Sequence, residues 1–71
     1  MTVAVLIYGK DACPYTTAAR EDHAKRKIAF EYVNVLADGT KLKEMLKHSK
    51  GVRKVPVIVD GASVTIGFGG T

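Results

Sequence analysis

Residues 7–16, Ile-Tyr-Gly-Lys-Asp-Ala-Cys-Pro-Tyr-Thr, constrain this chain more than any other stretch. An apolar run from Val3 to Tyr8 breaks into a short polar turn, Gly9 to Ala12, and a helical pattern starts at Pro14. Proline suits the first helical position, because its missing N–H is one the helix leaves unpaired anyway. Cys13, the only cysteine, then lies just before the first turn, facing the free N–H groups and the positive end of the helix dipole. Such a position favours the thiolate, which is the nucleophilic form. Lys10 adds a positive charge in the same turn. A lone cysteine is also a common buried hydrophobe. The convergence of strand end, lysine, proline and helix start favours the reactive thiol.

Taken in order, Thr2 to Tyr8 is a β-branched, nearly continuous apolar run, as expected of a central strand covered on both faces. Pro14 to about Lys27 predicts a rather polar helix with a thin apolar stripe of Ala18, Ala19, Ala24 and Ile28. His23 falls ten helical residues from Cys13, roughly 15 Å along the axis, and reads as a half-buried or capping histidine rather than a catalytic base. Ala29 to Leu36 predicts a second strand, parallel to the first through a right-handed βαβ crossover. Ala37-Asp38-Gly39-Thr40 supplies capping side chains for a helix from Lys41 to about Lys50. Leu42, Met45 and Leu46 form its inward face, His48 is a dipole-compatible surface residue near its end, and Gly51 fits its stop. Val55 to Val59 predicts a third strand, Asp60-Gly61 a hairpin turn and Ser63 to Ile66 a fourth strand. The expected fold class is α/β, in the order β-α-β-α-β-β with a four-stranded mixed sheet, as one domain over residues 1–71. Pro56 is unusual inside a strand pattern because it cannot donate to the ladder, which by itself suggests an edge strand or a bulge.

Seventy-one residues lie near the lower limit for a single core without disulfides or metal. A hydrophobic fraction of 46% with 25% charged residues argues against disorder. No apolar run approaches the ~20 residues of a membrane span, and the N-terminal apolar stretch lacks the basic leader of an export signal. One cysteine excludes an internally stapled secreted scaffold, so a reducing cytoplasm is the expected location. The net charge is +4. The basic residues are mixed with Glu21, Asp22, Glu31 and Glu44 and lack interleaved aromatics, which reads as a solvated surface rather than a nucleic-acid footprint. It could also help recruit an anionic thiol.

Two motifs together carry a family resemblance. Tyr8-x-Lys10-x-x-Cys13-Pro14-Tyr15 resembles the active-site turn of the glutaredoxins, in the thioredoxin-like superfamily. Val55-Pro56-Val57-Ile58-Val59-Asp60-Gly61 resembles that family's cis-proline strand, in the expected order and at the expected distance. The resemblance implies a cis Val55–Pro56 bond facing Cys13, with the Val55 backbone left free to clamp a bound peptide. It implies glutathione as co-substrate, no metal, a monomer, and partners that are glutathionylated or disulfide-bonded molecules rather than nucleic acid or membrane. Two-cysteine members carry a resolving cysteine where this chain has Thr16, so Cys13 would act by a one-cysteine route. Thr16 could hydrogen-bond the thiolate, or be an ordinary first-turn residue.

By the same resemblance Lys10 would meet the glycine carboxylate of glutathione, and Pro14 and Tyr15 would flank the thiol. Arg53 lies one place from the usual glutaredoxin arginine and fits better the glutaredoxin-like electron donors of ribonucleotide reductase. Gly69 and Gly70 match half of the pattern that holds the γ-glutamyl end, whose acidic residue is not present. The family's last helix is missing from this sequence, and Thr71 reads as an N-cap for it. Bacterial glutaredoxin-like selenoproteins belong to the same resemblance, and such a chain could carry a further Cys or selenocysteine beyond Thr71. Two rival classes stand beside the oxidoreductase. One is an iron–sulfur cluster carrier of the one-cysteine type, against which the stiff Pro14-Tyr15 turn argues. The other is a non-catalytic thioredoxin-like binding module.

Overall fold

The computed structural model describes residues 5–68. The expectations for the start of the first strand and for Gly69, Gly70 and Thr71 lie outside these residues. The elements are β1 (Val5–Gly9), α1 (Pro14–Lys25), β2 (Phe30–Asn34), α2 (Gly39–Ser49), β3 (Val57–Asp60) and β4 (Ser63–Ile66). They form one four-stranded sheet in the order β2-β1-β3-β4. β1 pairs in parallel with β2, and β3 runs antiparallel to both β1 and β4. The expected mixed sheet and element order are therefore observed.

The continuous apolar character of β1 follows from its central place, since both of its faces are covered. Tyr8, Val35, Met45, Val57 and Val59 form one buried cluster, with Leu6, Val33, Leu42 and Leu46 of β1, β2 and α2 packed against it. Val5, Ile7, Ala19 and Ile58 form the other, with Ile28, Phe30 and Phe68 packed against it. The inward face expected of α2 is the one observed, and Met45 is its most buried member. Asp38 caps that helix by accepting from the Thr40 N–H at 2.8 Å. It ends in a left-handed turn at Lys50 (φ 56°) and Gly51 (φ +88°), one residue earlier than the glycine stop suggested.

Two sequence expectations shift. α1 buries only part of the expected stripe: Ala19 is fully buried and Ile28 packs on the same cluster, but Ala24 is exposed, and Thr16 and His23 take the other inward positions. His23 takes an apolar position because its polarity is satisfied locally, Nδ1 lying 2.8 Å from the Ala19 carbonyl oxygen. Its ring also meets Phe30 edge-on at 5.9 Å. β3 begins at Val57, two residues later than expected, because Pro56 has no N–H to give the ladder. β3 is also an inner strand, so the edge-strand reading of Pro56 fails; the Val55–Pro56 bond is cis, as the resemblance implied.

Candidate active site

The sheet register brings the two motifs to one end of the molecule. Tyr8 stands opposite Val57 across the β1–β3 pair, so the end of β1 and the cis Val55–Pro56 segment lie side by side. Four residues past the end of β1, Cys13 is the N-cap of α1, in extended conformation (φ −85°, ψ 116°), with Pro14 in the first turn. The turn closes through the Cys13 N–H donating to the Lys10 carbonyl at 3.2 Å. The Cys13 carbonyl accepts the first helical hydrogen bond, from Thr17 N–H, at 3.1 Å. The N–H groups at the start of α1 therefore point toward the sulfur, as a helix N-terminus requires.

Cys13 is 8% exposed. That burial pushes its thiol pKa up, but the neighbouring Thr16 hydroxyl and the Thr16 and Tyr15 backbone N–H groups, as donors available to the thiolate, pull it down, and the Lys10 charge adds to them. The net direction is below the ordinary thiol value. Thr16 is fully buried, and its Oγ1 has no hydrogen-bond partner among the described residues. A buried hydroxyl without a partner is costly. Ionisation of the neighbouring sulfur offers it a strong acceptor, so the two observations are sides of one arrangement.

Gly9 makes room for this hydroxyl. A Cβ built at Gly9 would stand 3.0 Å from Thr16 Cβ and closer still to its Cγ2 and Oγ1. The turn is also tied from a direction the sequence did not reveal. Tyr32 of β2 donates to Asp11 Oδ1 at 2.7 Å, and the Arg20 guanidinium of α1 lies 4.0 Å from the centre of the Tyr32 ring. Burial raises the Tyr32 pKa, the Asp11 hydrogen bond and charge raise it further, and it reaches about 12 despite Arg20. The phenol keeps its proton, and so its bond to Asp11, far above neutral pH. This tether occupies the one carboxylate in the turn, two residues from the nucleophile.

Of the residues singled out from sequence, Lys10, Tyr15 and Thr16 all act on Cys13. Tyr15 is 40% exposed beside it. Pro56 is buried and Val55 half-buried at the same end of the sheet. Arg53 is exposed, and among the described residues no hydrogen bond or ion pair joins it to the Cys13 turn. Gly9, Asp11, Arg20 and Tyr32 escaped the sequence reading. The hint available was a glycine directly between strand and turn, where backbone and a neighbouring side chain approach closely.

Among the described residues no group of three or more His, Cys, Asp or Glu side chains could hold a metal ion. No helix among them is long and apolar enough to cross a membrane. No match is found among the curated proteins. The family model for glutaredoxin matches residues 5–64. Among solved structures, the glutaredoxin grx-1 of Archaeoglobus fulgidus superposes with a TM-score of 0.80 at 28% identity, over 96% of this chain and 78% of that one. The glutaredoxin-like NrdH-redoxin of Escherichia coli gives 0.79 at 28% identity, over 92% and 83%. Glutaredoxin from Brucella melitensis gives 0.72 at 29% identity, over 92% and 70%. With the strand–turn–helix setting of Cys13 and the mixed sheet behind it, these matches establish that the chain belongs to the glutaredoxin family of thiol redox proteins, with a thioredoxin-like fold.

Proposed function

We propose that this protein is a glutathione-linked thiol-disulfide oxidoreductase that works through Cys13 alone. The observation that carries the reading is a single cysteine at a helix N-cap whose thiol is held below its ordinary pKa. Cys13 thiolate attacks the glutathione sulfur of a mixed disulfide. A new S–S bond forms between Cys13 and glutathione, the old one breaks, and the substrate sulfur leaves as a thiolate that takes a proton from water. A second glutathione, as thiolate, then attacks the sulfur bonded to Cys13, forms glutathione disulfide and returns Cys13 thiolate. Net, each mixed disulfide consumes one free glutathione thiol, whose sulfur is oxidised as it joins the glutathione already held in disulfide form, while the substrate sulfur is released as a thiol. Thr16 stands where a resolving cysteine would shortcut this cycle, and instead stabilises Cys13 as an anion, both before attack and as the leaving group.

Lys10 would meet a carboxylate of glutathione, and Pro14 and Tyr15 would border the sulfur. The Val55 backbone, ahead of β3, would pair with the bound peptide as an added strand, Arg53 would add a positive charge to the site, and Gly69 and Gly70 would help to hold the γ-glutamyl end. The working unit is a monomer in a reducing cytoplasm, and the cycle needs no metal.

The test is to mix reduced protein with a glutathionylated peptide and follow both by intact mass. One glutathione is expected on Cys13, removed by excess free glutathione, while Cys13→Ser takes up none. Transfer no faster than to a free cysteine peptide would remove the catalytic reading and favour the binding module.

A further inference from the structure

The protein's positive charge is not spread over its surface. Residues 41–54 hold six Lys and Arg against the single Glu44, whereas the rest of the chain holds five against six Asp and Glu. The whole excess of +4 therefore arises in α2 and the loop after it, and the remainder of the chain is close to neutral. Lys43, Lys47 and Lys50 recur at i, i+4 and i+7, which sets them along one flank of α2, about 10 Å from end to end. All three are exposed, as are Arg53 and Lys54, and none of the five has an ion-pair partner among the described residues. Glu44 is engaged elsewhere, with Lys41 at 3.5 Å and Tyr8 at 3.4 Å. On α1, by contrast, Arg26 is paired with Asp22.

Favourable alignment with the helix dipole explains Lys47 and Lys50 near the C-terminus of α2, but not Lys43, Arg53 or Lys54. Lys43 and Lys47, four apart, repel one another and weaken the helix slightly. The stripe leads through Arg53 and Lys54 directly into Val55 and Pro56, at the Cys13 end of the sheet. The molecule measures 29 × 27 × 21 Å. An extended peptide of about eight residues, at ~3.3 Å each, reaches roughly 26 Å, nearly the longest dimension of the molecule.

We propose that the Lys43–Lys47–Lys50 flank of α2, continued by Arg53 and Lys54, is a docking surface for an acidic segment of the protein substrate. The proposal rests on the oxidoreductase reading for its purpose, because it names the class of protein whose mixed disulfide Cys13 would reduce. An acidic stretch lying within about eight residues of the target cysteine is drawn to the stripe. That contact raises the encounter rate and holds the disulfide near the thiolate. Nucleic acid fits less well, since residues 41–54 hold no Phe, Tyr or Trp on which bases could stack.

Binding and turnover test the two readings separately. Fluorescence anisotropy is measured with three labelled peptides of one length that differ only in a run of six Glu, Gln or Lys. A DNA oligomer of equal charge to the Glu peptide serves as competitor. The Glu peptide is expected to bind at least about tenfold tighter than the Gln peptide at low salt, with the preference fading as salt rises. In the triple variant K43Q/K47Q/K50N that preference should largely vanish. Asn suits the left-handed conformation at position 50. Glutathione transfer from glutathionylated free cysteine, which is too small to reach the stripe, should be unchanged in the variant. Equal binding of the Glu and Gln peptides, a preference that survives in the variant, or tighter binding of the DNA would each overturn the proposal. Absence of transfer from glutathionylated cysteine in the wild type would overturn the oxidoreductase reading and leave the binding result standing on its own.

Discussion

Cys13 and Thr16 illustrate how a side chain of modest polarity controls a nucleophile. Burial alone would keep the Cys13 thiol protonated; the hydroxyl and two N–H groups at the helix start reverse that preference. Replacing Thr16 by Val keeps the shape against Gly9 and deletes the donor. Uptake of glutathione from a mixed disulfide at pH 7 should then slow about tenfold, the effect of one charge-assisted hydrogen bond of ~1.5 kcal/mol. Thr16→Ser should retain most of the rate, and a stopped-flow comparison of the two variants checks this. The lowered pKa and the single nucleophile were legible from the order of strand, lysine, cysteine and proline. The Tyr32–Asp11 tether was not: the two residues stand 21 positions apart. Nothing in local spacing says that a tyrosine on β2 reaches into the turn.

At the scale of elements, Pro14 located the start of α1, the hydrophobic period located α2 and the four strands, and Asp60-Gly61 marked the β3–β4 hairpin. Errors fell where a polar residue took an inward place. His23 is buried on α1 because the Ala19 carbonyl satisfies it, a compensation invisible to a pattern of apolar residues. β3 starts late because the strand pattern includes Pro56 while the ladder cannot. Two substitutions probe the element junctions. Gly9→Ala drives a methyl into Thr16 and should cost about 1–3 kcal/mol by overpacking, read from denaturant midpoints at constant m. The same variant should also lose part of the Thr16 effect on Cys13. Asp38→Ala removes the α2 cap and should cost about 1 kcal/mol in the same assay, without altering Cys13 reactivity.

For the whole molecule, the depressed Cys13 pKa links redox chemistry to folding. The unfolded chain binds its thiol proton more tightly than the folded one, so ionisation favours the fold. This contribution is complete above the ordinary thiol pKa of ~8.5 and is lost as pH falls through the lower folded value. The stability difference between wild type and Cys13→Ser, taken from urea unfolding under reducing conditions, should therefore move in favour of the wild type as pH rises from 6 to 9. A flat difference would mean that the folded and unfolded thiols titrate alike.

The most direct measurement is the rate of Cys13 alkylation by iodoacetamide as a function of pH, beside a free cysteine peptide. With the thiolate stabilised by Thr16, the helix start and Lys10, the midpoint for Cys13 should lie clearly below that of the peptide, and Thr16→Val should move it upward. A midpoint at or above the peptide's would mean that burial wins at Cys13, and would contradict its role as the reacting thiolate.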